Sequence, residues 1–290
     1  MSGNREIDQL SGVDTTGHEW DGIKELNNPL PRWWLWTLYA TVVWAIGYVI
    51  VYPAIPGLTS YTHGLWGWSS RADLRNQMTA VDQGRQALND KIAAMDINAI
   101  MADPEARTFA IAAGGSLFKV NCVQCHGSGA QGGPGFPNLN DDSWLWGGKP
   151  DQVVQTISNG IRDTSNGDTR DSIMPNFGKD GLLEADKITA AANYVRQIAN
   201  LEHDAAAATA GATVFAENCA SCHGEKGEGN QDLGAPQLND AVWLYSDSLE
   251  GITAQVNAPR HGMMPGWNAK LGEGKVKALA AYVLSLGGGQ

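Results

Sequence analysis

The sequence contains two short stretches with one framework, Asn121-Cys122-Val123-Gln124-Cys125-His126-Gly127 and Asn218-Cys219-Ala220-Ser221-Cys222-His223-Gly224. All four cysteines of the 290-residue chain lie in these stretches. In each of them two residues separate the cysteines, and a histidine follows the second cysteine directly. The pattern C-x-x-C-H therefore occurs twice and leaves no cysteine over.

This spacing is the signature of covalent c-type haem attachment. A thioredoxin-like redox pair would sit in a βαβ pattern, which the sequence does not show, and a zinc site would need four ligands. We therefore predict two covalently bound haem c groups. The residues predicted to hold them are Cys122, Cys125, Cys219 and Cys222 through thioether bonds and His126 and His223 as the first axial ligands of the iron.

A methionine is predicted as the second axial ligand of each iron. Met174 and Met264 each precede a proline, and each comes after a polar, glycine-containing loop. Core packing is the usual role of a methionine, but the recurrence of Met-Pro favours ligation, with Met263 as the rival of Met264. An iron that holds both histidine and methionine has no open position, which favours one-electron transfer. No catalytic residue is predicted.

The two motifs belong to a tandem duplication. Matching pairs follow one another in the same order through both copies, and each copy ends in a predicted closing helix. The pairs include Gly114 with Gly211, Phe118 with Phe215, Pro137 with Pro236, Trp144 with Trp243, and Tyr194 with Tyr282. We therefore predict an all-α fold in which two tandem class I cytochrome c domains occupy residues 104–201 and 202–290.

An apolar run at residues 33–53 precedes both copies. Twenty residues at 1.5 Å rise per residue cross the ~30 Å core of a bilayer, so this run predicts a single transmembrane anchor. A cleaved signal peptide is disfavoured because no small-x-small cleavage site follows. Residues 1–32 then form a short polar segment, and residues 54–103 form a stalk that includes an amphipathic helix.

The positive charges beside the anchor predict its orientation. Lys24 and Arg32 lie on its N-terminal side, whereas Arg71 alone lies at a comparable distance on the other side. Because cytoplasmic flanks carry the excess of positive charge, the N-terminus is predicted to be cytoplasmic. The haem domains would then be periplasmic, on a bacterial inner membrane.

The acidic composition excludes one class of partner and favours another. The net charge is −11, and most of the acidic excess falls after residue 102. Nucleic acids require clustered lysine and arginine, so no nucleic-acid partner is predicted. An acidic surface would instead attract a basic electron donor.

With these features together, the chain resembles subunit III, the CcoP/FixP family, of cbb3-type cytochrome c oxidase. The resemblance is carried by the block from His18 to Trp34, by the anchor that ends Tyr52-Pro53-Ala54-Ile55-Pro56-Gly57, and by the two cytochrome domains. The first of these is the specific part, since C-x-x-C-H motifs alone are shared by many cytochromes.

The resemblance implies a place in a respiratory complex. Members of this family relay electrons from donor cytochromes c to a monohaem subunit and on to the haem–copper subunit that reduces oxygen and pumps protons. Met174 and Met264 would be axial ligands, often assigned crosswise between the domains, and the spacing is compatible with either arrangement. Three alternatives are an anchored dihaem cytochrome of another periplasmic redox complex, a dihaem peroxidase and a redox or gas sensor.

Overall fold

The computed structural model describes residues 6–288, which fall into two units. The first unit ends at Gln83 and the second begins at Gly84. The first contains β1 (Thr15–Trp20), β2 (Ile23–Leu26) and α1 (Arg32–Val51). The prediction of a mostly helical fold is confirmed, and the small two-stranded sheet is an addition to it.

The two strands form an antiparallel hairpin. Its register pairs Trp20 with Ile23, and the turn residues Asp21 (φ 48°) and Gly22 (φ 82°) both adopt the left-handed conformation. Two left-handed central residues are what a two-residue type I′ hairpin turn needs, and Asp-Gly is a favoured pair for it. An Asp-Gly signal was therefore present in the sequence, although the analysis of residues 1–32 did not predict a hairpin.

Helix α1 lies in the predicted anchor. It has 20 residues, no buried side chain, and the length and composition of a membrane-spanning helix. The chain just beyond Gly64 returns to the C-terminal end of α1. There the amides of Leu65 and Trp66 donate to the carbonyls of Ile50 and Val51. These bonds satisfy helix-end carbonyls that would otherwise lack partners in an apolar environment.

Helix α2 (Ser70–Ala94) begins in the first unit, and the remaining helices belong to the second. The N-cap residue of three of these helices is an aspartate. The side chains of Asp96, Asp103 and Asp204 accept hydrogen bonds from amides of the first turn. The described helices are α3 (Ile97–Ala102), α4 (Pro104–Asn121), α5 (Val123–His126), α6 (Pro150–Asn159), α7 (Ala185–Ile198), α8 (Ala205–Asn218), α9 (Ala220–His223), α10 (Leu249–Asn257), α11 (Asn268–Leu271) and α12 (Glu273–Leu284).

The long helices of the two repeats pack in exchanged pairs. Helix α4, at the start of the first repeat, packs on α12 at the end of the second, whereas α7 and α8 pack on each other. One apolar core accordingly combines residues 92–157 with residues 276–283, and the other covers residues 177–256. The predicted ranges 104–201 and 202–290 follow the sequence repeats, whereas each packed half takes segments from both.

The connection between α7 and α8 explains this exchange. Only residues 199–204 separate the two helices, and a short connection favours the packing of consecutive helices on each other. Within it, the amide of Leu201 donates to the carbonyl of Arg196, and the amide of Asp204 donates to Asn193 Oδ1 at 2.9 Å. Helix α8 thus occupies the surface of α7 that α4 would need, and α4 packs on α12 instead.

Both helix pairs cross at a glycine and are reinforced by an aromatic contact. A Cβ atom on Gly114 would overlap the carbonyl oxygen of Ala278, and one on Gly211 would overlap that of Ala190. Beside these crossings, ring centroids lie 5.2 Å apart for Phe118 and Tyr282 and 5.1 Å apart for Tyr194 and Phe215. The repeated glycine is therefore required by close backbone approach, and the two crossings are structurally equivalent.

We expect Gly114→Ala to destabilise the protein, because the new methyl group would force α4 and α12 apart. Overpacking of this kind costs ~1–3 kcal/mol, which should lower the midpoint of thermal unfolding by several degrees. Gly84→Ala in α2 is the matched control, since nothing lies within 4 Å of its Cβ position. Equal unfolding temperatures for the two variants would contradict this account of the crossing.

Candidate haem sites

The two C-x-x-C-H motifs adopt one local structure. In each, the first cysteine ends a long helix, Cys122 after α4 and Cys219 after α8, and the next four residues form the one-turn helix α5 or α9. Gly127 and Gly224, both at φ 80°, then end the turn in a conformation that other residues rarely adopt. The motif histidine is therefore held at the end of a helical turn in both repeats.

Both motif histidines are held by a backbone acceptor. The Nδ1 atom of His126 lies 3.0 Å from the carbonyl oxygen of Pro137, and that of His223 lies 2.9 Å from the carbonyl of Pro236. Burial lowers the pKa of both rings. A neutral imidazole that donates from Nδ1 has an unprotonated Nε2 available for a metal, which is the usual outer arrangement of a ligating histidine.

His126 and Met264 line the same pocket, although they belong to different repeats. The walls of this pocket come from α4, α6, α12 and the intervening loops. In the other half, Met174 packs against the core that contains Cys219. The other residues that line the first pocket include Cys122, Phe118, Val153, Ile157, Trp144, Trp146, Trp267, Leu279 and Val283.

The chemistry of this pocket fits a haem. Trp144 Nε1 is a buried side-chain nitrogen that has no hydrogen-bond partner within residues 6–288, and it belongs to a residue that lines the pocket. A buried donor without a partner is costly, and a haem propionate is a suitable acceptor. The surrounding side chains are largely apolar, as the porphyrin ring requires.

The first cysteine of each motif also suits a covalent bond to an apolar group. Burial raises the pKa of the Cys122 and Cys219 thiols to about 11. Neither thiol therefore forms the reactive thiolate that a redox or metal-binding cysteine would need at neutral pH. An uncharged thioether fits these half-buried and buried positions.

The loops that carry the two methionines, residues 160–184 and 258–267 (the Met loops), contact each other. The contacts that Arg162, Asp163 and His261 make between the loops were not predicted, because these partners lie 87 to 103 positions apart in the sequence. Asp163 Oδ2 accepts from the amide of Gly266 at 2.8 Å, and His261 Nε2 accepts from the amide of Met174 at 3.0 Å. Burial, and then the charge of Arg162, lower the pKa of His261.

The fold and these two sites together define a class of protein, the membrane-anchored cytochromes with two c-type domains. A family model described as the N-terminal domain of cytochrome oxidase-cbb3, FixP, matches residues 12–59. The model described as cytochrome c oxidase, cbb3-type, subunit III, matches residues 109–195 and again residues 206–283. Both expected parts of the chain, the N-terminal block and the repeated domain, are thus matched.

Curated relatives match nearly the full chain. The cbb3-type cytochrome c oxidase subunit FixP of Sinorhizobium medicae is 50% identical over 99% of both chains, and that of Rhizobium etli is 52% identical over 98% of this chain and 99% of its own. The CcoP subunit of Cereibacter sphaeroides is 50% identical over 95% of both chains. The chain belongs to the FixP/CcoP family of cbb3-type cytochrome c oxidase subunits, which implies haem c and single-pass anchoring through α1.

We expect Trp144→Phe to lower the midpoint potential of one haem. The substitution keeps an aromatic ring in the pocket but removes the Nε1 donor, so a propionate would keep more of its negative charge and stabilise the ferric iron. A hydrogen bond of ~1 kcal/mol corresponds to about 40 mV for one electron. Spectroscopic redox titration should show this shift at one haem alone, and the other haem serves as internal control.

Proposed function

We propose that this chain is the dihaem electron-transfer subunit of a cbb3-type cytochrome c oxidase. It would bind two haem c groups and relay electrons from donor cytochromes c towards the monohaem subunit and the oxygen-reducing haem–copper subunit. The observation that supports this proposal most directly is that His126 and Met264 line one pocket. This pocket brings a predicted first axial ligand together with a predicted second axial ligand. Family membership supports the assignment to an oxidase.

The ligand assignment follows from the exchanged packing. His126 and Met264 would serve the haem attached to Cys122 and Cys125, and His223 and Met174 would serve the haem on the second motif. Each methionine would then come from one sequence repeat and serve the haem attached to the other repeat. In the folded chain, however, each methionine lies in the same packed half as the motif that it serves. The crossing of ligands in sequence is thus a consequence of how α4 pairs with α12.

The residues around each site would favour electron transfer over catalysis. A haem c with these ligands supplies reversible one-electron chemistry at iron. The chain's own groups would hold the imidazoles neutral, supply a methionine thioether as the second ligand and surround the haem with largely apolar side chains. Because both axial positions would be filled, this chain would not itself reduce oxygen, and catalysis would belong to the complex.

The anchor and the charge distribution support the remaining parts of the proposal. With Lys24 and Arg32 on the cytoplasmic side, the described residues after α1 would lie in the periplasm of a bacterium. The acidic excess beyond residue 102 would attract a basic donor cytochrome c, with an encounter rate that falls as salt rises. Helix α1 has no buried side chain and would contact lipid and the membrane subunits of the oxidase.

Replacement of the methionines should identify which haem each one serves. In a variant that keeps only the first haem, with Cys219 and Cys222 changed to serine, Met264→Leu should abolish the methionine-to-ferric-haem charge-transfer band. Met174→Leu should leave the band in place. The reciprocal variant, with Cys122 and Cys125 changed to serine, should show the opposite dependence. If Met174→Leu removed the band of the first haem, ligation within each repeat would replace the crossed assignment.

Co-purification from native membranes should test the assignment to an oxidase. A tagged full-length chain should bring down b-type haem and cyanide-sensitive oxygen uptake together with the c-type spectrum. Chain lacking haem c, with all four cysteines changed to serine, serves as the control for electron entry, and its membranes should not oxidise reduced donor cytochrome c. If c-type haem alone co-purified in mild detergent, the chain would serve another redox complex.

A further inference from the structure

The two Met loops meet at one point, where a single arginine lies between them. Met264 is joined to the first repeat by a pair of backbone hydrogen bonds with Ile161, 2.8 Å and 2.9 Å long. The next residue, Arg162, is half-buried. Its side chain reaches both loops.

Arg162 contacts equivalent positions in the two loops. Its Nε donates to the carbonyl of Gly262 at 2.7 Å, and its Nη1 donates to the carbonyl of Ser172 at 2.9 Å. Gly262 lies two residues before Met264, and Ser172 lies two residues before Met174. The planar guanidinium can hold two acceptors at once in a fixed geometry, which a lysine cannot do.

The backbone at Arg162 has an unfavourable conformation. Its φ of 53° lies in the left-handed region, which a non-glycine residue adopts at a cost and only where its surroundings impose it. Here the amide of Arg162 donates to the carbonyl of Arg170, and the amide of Asp163 donates to Thr169 Oγ1 at 3.0 Å. This strained turn directs the side chain into the space between the loops.

A separate contact joins each methionine loop to the opposite repeat. His261 Nε2 accepts from the backbone amide of Met174 itself, so the second repeat holds the first methionine. Asp163 Oδ2 accepts from the amide of Gly266, so the first repeat holds the loop of the second methionine. The Arg162 side chain donates to carbonyls of both loops, whereas His261 and Asp163 each accept from an amide of one loop.

We propose that Arg162 is a positioning residue that couples the axial methionines of the two haems. By donating to the carbonyls of both Gly262 and Ser172, it supports both Met loops at once, so its loss would loosen both. This inference rests on the proposed ligation of the irons by Met174 and Met264. His261 and Asp163 complete the arrangement as local holders of one methionine each.

A charge-neutralising role for Arg162, through haem propionates, is a different explanation, and the two make different predictions. Both side-chain bonds of Arg162 go to backbone carbonyls of the Met loops. A loss of positive charge alone would shift the potentials and leave the methionines bound. A loss of the bridge would weaken methionine ligation at both irons.

The test is methionine-methyl NMR of the reduced full-length holoprotein labelled with ¹³C-methyl methionine. A methionine bound to low-spin ferrous haem is shifted strongly upfield by the ring current, and Met174→Leu and Met264→Leu assign the two signals. Arg162→Gln should weaken or broaden both signals and lower the imidazole dissociation constant of both ferric haems by about tenfold. His261→Ala should affect the Met174 signal alone, and Asp163→Ala the Met264 signal alone.

Further substitutions show whether an effect of Arg162→Gln comes from the loss of its two hydrogen bonds, from the loss of a positive charge or from failed folding. Arg260→Gln removes a neighbouring positive charge whose guanidinium lies over the Tyr245 ring, 4.4 Å from its centroid, and should leave both signals unchanged. His261→Gln keeps an acceptor and should restore the Met174 signal. If Arg162→Gln fails to retain haem, Arg162→Lys keeps the charge but lacks the planar guanidinium. Disturbance of both methionine signals would then support the bridge, and disturbance of one or neither would contradict it.

The outcomes separate this inference from the proposed function. If the unchanged protein shows no upfield methionine signal, the proposed ligation itself fails. If it shows both signals and Arg162→Gln disturbs one or neither, ligation stands and the coupling role of Arg162 is wrong. If Arg260→Gln disturbs both signals equally, local charge accounts for the effect and the bridge does not.

Discussion

The short connection between α7 and α8 controls how both cytochrome halves are built. Residues 199–204 return the chain at once, and the close crossing at Gly211 fixes α8 on α7 before any other partner is needed. Helix α4 is left to pair with α12 through the equivalent crossing at Gly114. The sharing of one pocket by His126 and Met264 depends on this choice of neighbours.

The exchange also changes what the boundary between the halves contains. If the two repeats had folded as separate consecutive domains, each Met loop would lie within its own domain. Neither loop would then form part of the boundary between the domains. Here the chain passes from one half to the other near Ile161 and again near Met264, and these crossing points pair with each other through backbone bonds. The loops that present the methionines are therefore part of the junction, and each half contributes to the shape of both.

Local features of the fold and site could be predicted from the sequence, whereas the pairing of distant helices could not. The C-x-x-C-H motifs and the anchor are patterns of near neighbours, the duplication repeats such local patterns, and the helical fold and family are confirmed. The repeats carry the same residues at the crossing, so Phe118 fits Tyr194 or Tyr282 equally well by sequence. The bond of Arg162 to Gly262 and that of His261 to Met174 join residues 100 and 87 positions apart, and such contacts leave no periodic signal.

Because of the exchanged pairing, the helices of the two halves become available for packing at different times during synthesis. The central half consists of one continuous stretch with neighbouring helices, so all its parts have emerged once α10 has been made. The outer half must keep α4 and its motif unpartnered until α12, near the end of the described chain, arrives. Contacts between such distant segments form late and leave apolar surface exposed for longer. The first motif in the sequence thus belongs to the half that is completed last.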